Sequence, residues 1–230
     1  MAAQAQAIFA QVDEQSKNAS AQQFDRLAAT LGFIPNDPLS LSPYPDHPIN
    51  AAAQEQYNTI QPTLNNVLSK QLGQVDNPLP ALPPNLEAYL AATRPNLLVL
   101  QTHLLTQAPP RWEIDIVRMS EEGYPFPGLT NVFNTQKLLL LLALSHRENN
   151  QPTDMLSALE ASWRLNQTTT QRPDLVSQIS ASTIADYQAT LLRHTAGLSQ
   201  PQLAKWQHRF AQQARQLSGI EGIRFETWLQ

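Results

Sequence analysis

Cysteine is absent from this chain of 230 residues. Its absence removes disulfides, thiolate metal sites, iron–sulfur clusters and cysteine nucleophiles together. Charge is also scarce. Charged residues make up 15% of the chain, the net charge is -4, and the only lysines are Lys17, Lys70, Lys137 and Lys205. A nucleic-acid partner requires a concentrated basic face to displace counterions from phosphates, and no such cluster exists. An anionic membrane surface is excluded on the same ground. Glycine occurs 7 times. No phosphate-cradling loop, dinucleotide fingerprint, G-x-S-x-G elbow or S-x-x-K pair is present. Long apolar runs are missing too. The longest, Leu138 to Leu144, falls well short of the roughly 18 to 20 residues that span a bilayer, so it is expected as a buried helix core. The start, Met1-Ala-Ala-Gln-Ala-Gln-Ala7, has neither a basic nor an apolar leader region. It is consistent with a cytoplasmic chain, or with one exported after removal of a signal peptide not contained in this sequence.

What the chain does have is apolar residues, at 42%, balanced by Gln, Asn, Ser and Thr. This composition describes a folded domain rather than a disordered polyelectrolyte, and it lacks the ion-pair surface of a hyperthermophile. It also has 18 prolines, which divide the chain. Before the first proline cluster, Met1–Ala19 and Ala21–Leu31 read as helices, with Ile8, Phe9, Val12, Phe24, Leu27, Ala28 and Leu31 at helical spacing. Ser20 is the expected cap between them and Gly32 the stop. Residues 34–48 contain five prolines. Each proline lacks an N–H and restricts the residue before it, so this stretch is an extended connector. The domain division expected is therefore an N-terminal helical arm over 1–33, a connector over 34–48 and a main all-α domain over 49–230.

In the main domain, Asn50–Leu72 reads as a helix kinked or divided at Pro62. A second proline-rich connector covers 73–84. Short helices are expected at Leu86–Ala92 and Pro95–Gln107. Residues 109–128 alternate Ile114 and Ile116 with acids, as a short strand would, and end in the rigid loop Tyr124-Pro-Phe-Pro-Gly128. Further helices are expected over Asn131–Glu148, Asp154–Asn166, Pro173–His194 (with Val176, Ile179, Thr183, Tyr187 and Leu191 as its apolar stripe) and from Ser199 onward. The tail Ile220–Gln230 is expected to fold back onto the body. Arg94-Pro-Asn-Leu-Leu98 echoes Arg172-Pro-Asp-Leu-Val176. Proline at the first helical position accounts for both more simply than a duplicated unit does.

The five histidines, His47, His103, His146, His194 and His208, show no i, i+4 pair and no E-x-x-H spacing, so no metal site is expected. His194 and His208 lie on neighbouring helices within reach of each other. No cofactor is expected either. Glu113, Asp115, Glu121 and Glu122 surround Trp112 and Tyr124, a combination that an acid–base hydrolase acting on a glycan or other polar polymer would use. An ordinary solvated loop pinned by a tryptophan has the same composition. Trp163 and Trp206 sit on apolar helix faces and are expected in the core. Trp112, Tyr124 and Phe126, with Tyr44 in its Pro-Tyr-Pro setting, are the expected binding residues. Aromatic side chains dominate docking energetics, and flanking prolines reduce the ordering cost.

Residues 137–165 contain a leucine-rich helix, the polar turn Glu148-Asn-Asn-Gln-Pro152 and a second helix with Ala158, Leu159, Ala161 and Leu165. This pair resembles a tetratricopeptide-type helical hairpin. Leu138–Leu192, with Ala-Leu-Glu-Ala-Ser-Trp-Arg-Leu165 and Arg-Pro-Asp-Leu-Val-Ser-Gln-Ile179, resembles a group of uncharacterised bacterial all-helical proteins. The resemblance covers about a quarter of the chain. It implies a fold and brings no catalytic residues. The expectation is an all-α protein, an irregular bundle or short α-solenoid of about seven to nine helices with proline-rich connectors. Its expected role is a non-catalytic scaffold for a protein or peptide partner. A hydrolase using the acids of the 109–128 loop is the alternative, followed by a self-assembling subunit joined through the N-terminal helices.

Overall fold

The computed structural model describes residues 18–34, 49–72, 79, 81–112, 130–172 and 175–228. Among these residues the protein is a bundle of seven α-helices without strands: α1 Ala19–Thr30, α2 Ala51–Val67, α3 Pro84–Thr106, α4 Thr130–Glu148, α5 Pro152–Thr170, α6 Leu175–Arg193 and α7 Gln200–Trp228. One wider π-turn, Leu68–Leu72, extends α2. Met1–Lys17, the 34–48 connector beyond Ile34, most of the 73–84 connector and the expected strand at Ile114–Ile116 lie outside the described residues.

α1 begins two residues earlier than expected. Asn18, not Ser20, is the cap, its side-chain oxygen accepting from Ala21 N at 2.8 Å. Gly32 ends the unit with φ +86°. A Cβ there would meet the Gln54 backbone nitrogen at 2.2 Å, so both the conformation and the close approach of α2 require glycine. α2 returns to the point that α1 leaves. Asn50 N donates to Ala29 O at 3.1 Å and the Asn50 side chain caps α2. The two ends of the proline-rich connector are therefore joined. Phe24, Ala28, Leu31 and Phe33 share one continuous core with α2 to α5, so the described part of the expected arm packs within the body.

Pro62 and Pro95 both lie inside continuous helices. The two short helices expected around Pro95 are the single helix α3. A mid-helix proline costs about 3 kcal/mol. α3 buries Leu86, Leu90, Leu97, Leu100 and Leu104 essentially completely, each contributing about 2 kcal/mol. Burial on both sides of the proline therefore outweighs the break. The two halves of the Arg-Pro echo also part company. Arg94-Pro95 lies in mid-α3, whereas Arg172 precedes α6. The chain does not turn back at Ile220, since α7 continues to Trp228.

From α2 onward consecutive helices pack against each other, α4 with α5 most extensively, whereas α1 packs on α3. α3 reaches α5, and α4 reaches α6. Arg209 fastens α7 to α5. It chelates Glu160 through both guanidinium nitrogens at 2.6 and 2.8 Å, and stacks 5.0 Å from the Trp206 ring and 5.7 Å from Trp163. Burial alone raises the Glu160 pKa, but the Arg209 hydrogen bonds and the charges of Arg209 and Lys205 overcome it and hold the carboxylate below its ordinary value.

Candidate functional site

α4 changes character along its length. Residues 131–137 read Asn-Val-Phe-Asn-Thr-Gln-Lys and residues 138–144 read Leu-Leu-Leu-Leu-Leu-Ala-Leu. All seven residues of the second half are at most 2% exposed, yet Thr135 and Gln136 in the first half are just as deeply buried. Because α5 runs antiparallel, the polar start of α4 meets the polar end of α5, Ser162 to Thr170. The start of α6 completes the layer. Gln136 Nε2 donates to Asn166 Oδ1 at 3.1 Å, and Asn166 Nδ2 donates to Ala181 O at 2.9 Å. Gln213 of α7 donates to that same carbonyl at 3.1 Å. One turn along α5, Gln188 Nε2 donates to Ser162 Oγ at 2.8 Å. At the outer edge Gln178 Nε2 bonds Thr170 O and Arg172 O. Amide side chains thus form rungs where the other end of the bundle has leucines.

These rungs use only half of what the amides offer. Asn131 Nδ2, Thr135 Oγ1, Gln136 Oε1, Thr169 Oγ1, Gln178 Oε1, Gln188 Oε1 and Gln213 Oε1 are buried and have no partner among the described residues. A buried polar atom left without any partner costs about 1 to 3 kcal/mol. Beside the rungs, Lys137 donates to Asn65 Oδ1 at 2.8 Å with its ammonium 4.4 Å over the Phe133 ring. Burial lowers its pKa.

The first turns of α6 are inverted relative to expectation. The stripe Val176–Ile179 was expected inward, but these residues are 66% and 57% exposed, and Ser177, Gln178 and Ala181 face the core. Ile184, Gln188 and Leu191 continue that buried face. The helix orientation follows Ile184 and Leu191 in its second half, which leaves the two apolar residues of its start in solvent.

The end of α3 lies against the same stretch of α5, with Arg164 Nη1 donating to Leu104 O and Leu105 O at 3.3 and 2.6 Å. There Asn18, Ser20, Thr102, His103, Thr106 and Gln107 line an open recess of about 530 Å³. Ser20 Oγ is 3.1 Å from His103 Nε2, the spacing of a nucleophile and its base. The proton arrangement differs, however. Ser20 donates its hydroxyl to Ala108 O at 2.6 Å, and His103 Nε2 also approaches Ser20 O at 3.1 Å. That carbonyl can only accept, so Nε2 carries the hydrogen and has no lone pair for Ser20. The pair is a clip between α1 and the chain leaving α3. Burial lowers the His103 pKa, against the effect of its bond to Ser20.

Trp112, expected as a docking aromatic, belongs to this clip. It is 6% exposed, packs edge-on against Phe24 at 5.3 Å, and its Nε1–H lies 3.2 Å from Asp25 Oδ1. A tryptophan whose ring and N–H are both engaged within the fold has little left for a partner. Tyr44, Tyr124, Phe126 and the acids Glu113, Asp115, Glu121 and Glu122 lie outside the described residues. His194 provides its backbone carbonyl to Arg147 Nε at 3.0 Å, and His208 is exposed. No group of three or more metal-ligating side chains occurs, and no helix is long and apolar enough to cross a membrane, among the described residues. Compared with protein-family models, with curated proteins and with solved structures, the chain matches none of them.

Proposed function

We propose that the protein is a non-catalytic helical interaction module that docks a protein or peptide partner at its amide-lined end, with Val176 and Ile179 in the contact. The observation that carries this reading is the inverted start of α6, where two large apolar side chains face solvent beside a set of unmet amides. Exposed large apolar side chains on one helix face are the usual centre of a docking patch. The hairpin packing, in which α3 reaches α5 and α4 reaches α6, supports a scaffold of the tetratricopeptide kind.

A photocrosslinking amino acid at Ile179, compared with one at the exposed Gln56 of α2, tests this in cells of the source organism. A discrete adduct from position 179 that is missing from position 56 and lost on Val176→Glu is the expected result. Equal adducts from both positions, or no discrete adduct from 179, would overturn the reading.

A further inference from the structure

The first turns of α6 are held in an unusual way. Between residues 176 and 183 the only apolar side chain fully inside the protein is the methyl of Ala181. Side-chain amides bonded to backbone carbonyls fasten much of this stretch, and the fully buried Ser177 is engaged as well. Gln178 reaches Thr170 O and Arg172 O, while Asn166 and Gln213 both reach Ala181 O. Water replaces such bonds readily, and it would also meet the Oε1 atoms of Gln136, Gln178 and Gln213, which have no partner among the described residues in the closed arrangement. Val176 and Ile179 are already in solvent, so their exposure does not increase on opening. The second half of the helix is different, since Ile184 and Leu191 are fully buried and hold it to the bundle.

From this asymmetry we propose that residues 176–183 form a flap, hinged before Ile184, that opens by local unfolding and uncovers the Gln136–Asn166–Gln213 amide cluster while the leucine-packed end stays intact. Opening of this kind follows from few buried apolar contacts and replaceable polar bonds, the properties of low-stability segments in otherwise stable folds. The flap is a property of the chain alone and stands independently of any docking partner.

The chain has no cysteine, so a single introduced thiol reports accessibility without background. Ala181→Cys and Ala158→Cys place a thiol at two positions that are 0% exposed, one under the flap and one between α5 and its leucine neighbours. Under native conditions, Ala181→Cys is expected to react with an aromatic disulfide reagent at least about 100-fold faster than Ala158→Cys. Its rate should be insensitive to low urea, because little surface is exposed on opening. Hydrogen exchange on the unmodified full chain provides the same comparison without substitution. Backbone amides of 179–183 should exchange well ahead of those of 138–144. Equal rates at the two thiols, or exchange of 179–183 only together with 138–144 through global unfolding, would overturn the flap.

Discussion

The two ends of the α4–α5 hairpin are built from the same helices by different chemistry. At one end Leu138–Leu144 meets Met155, Ala158 and Leu159, all at most 2% exposed. At the other, Thr135 and Gln136 meet Ser162, Asn166 and Thr169, equally buried. Burial is the same at both ends and its consequence is opposite. Each buried leucine adds about 2 kcal/mol to stability. Each half-satisfied amide returns at most about 1 kcal/mol through the bond it makes, and its unmet oxygen costs as much or more. Depth of burial alone therefore does not locate the energetic core. The leucine end holds the fold together, and the amide end is maintained by it.

The sharpest test of that division is a truncation at the leucine end. Leu141→Ala should lower unfolding stability by about 3 kcal/mol, from the lost transfer energy and the cavity left behind. Urea unfolding measures this directly. A loss below about 1 kcal/mol would mean that the leucine end is not the core.

At the amide end the outcome depends on which partner is removed. Asn166→Ala strips the acceptor from Gln136 Nε2 and one donor from Ala181 O. It should cost about 2 kcal/mol, most of it the stranded Gln136 amide. Replacing both partners, Gln136→Leu with Asn166→Leu, should recover most of that loss, because two apolar groups leave nothing unmet. Additive losses in the double variant would show that the rung is a net source of stability, and the contrast between the ends would collapse.

A third substitution is expected to stabilise. Thr135 is 0% exposed and its Oγ1 has no partner among the described residues. Thr135→Val exchanges that hydroxyl for a methyl of similar size and should add up to about 1 kcal/mol. A loss of stability would mean that the hydroxyl is met in solution.

The leucine end was legible in the sequence and the amide end was not, for a physical reason. Periodicity identifies a buried face only when that face is apolar. Leu138–Leu144 satisfies this condition, so the α4–α5 hairpin was readable within a few residues at each boundary. On α6 the expected stripe holds at Tyr187 and Leu191 but fails at Val176 and Ile179, because the buried face of the first turns is set by Ser177, Gln178, Ala181 and Ile184. A signal did exist in the polar run 131–137, which continues directly into the leucine run on one helix and must share its burial. Pro95 misled in the other direction. Local chemistry argued for a break in α3, and the leucines on either side hold the helix together. The clip between α1 and α3 depends on side chains more than eighty residues apart, Ser20 with His103 and Asp25 with Trp112, and no local pattern encodes such pairs.

The smallest expected effect concerns a buried polar group that is fully partnered, and it separates polarity from unmet polarity. Burial holds the His103 pKa below the ordinary imidazole value, which is about 6.5 and describes the unfolded chain. Between the lowered value and about 6.5 the unfolded chain binds more protons than the folded one, so stability rises with pH across that window. The contribution is complete above about 6.5 and is lost progressively as pH falls through the folded value. His103→Gln keeps an N–H donor near Ser20 without a titrating ring. Urea unfolding at pH 7 should show the two proteins nearly equal, since the clip stays intact. At pH 5.5 the wild type should have lost more stability than the variant. Equal pH slopes would place His103 in water rather than in the clip. A large loss in the variant at pH 7 would show that the clip depends on the imidazole itself, so that satisfied polar groups in this protein contribute more than the leucine end implies.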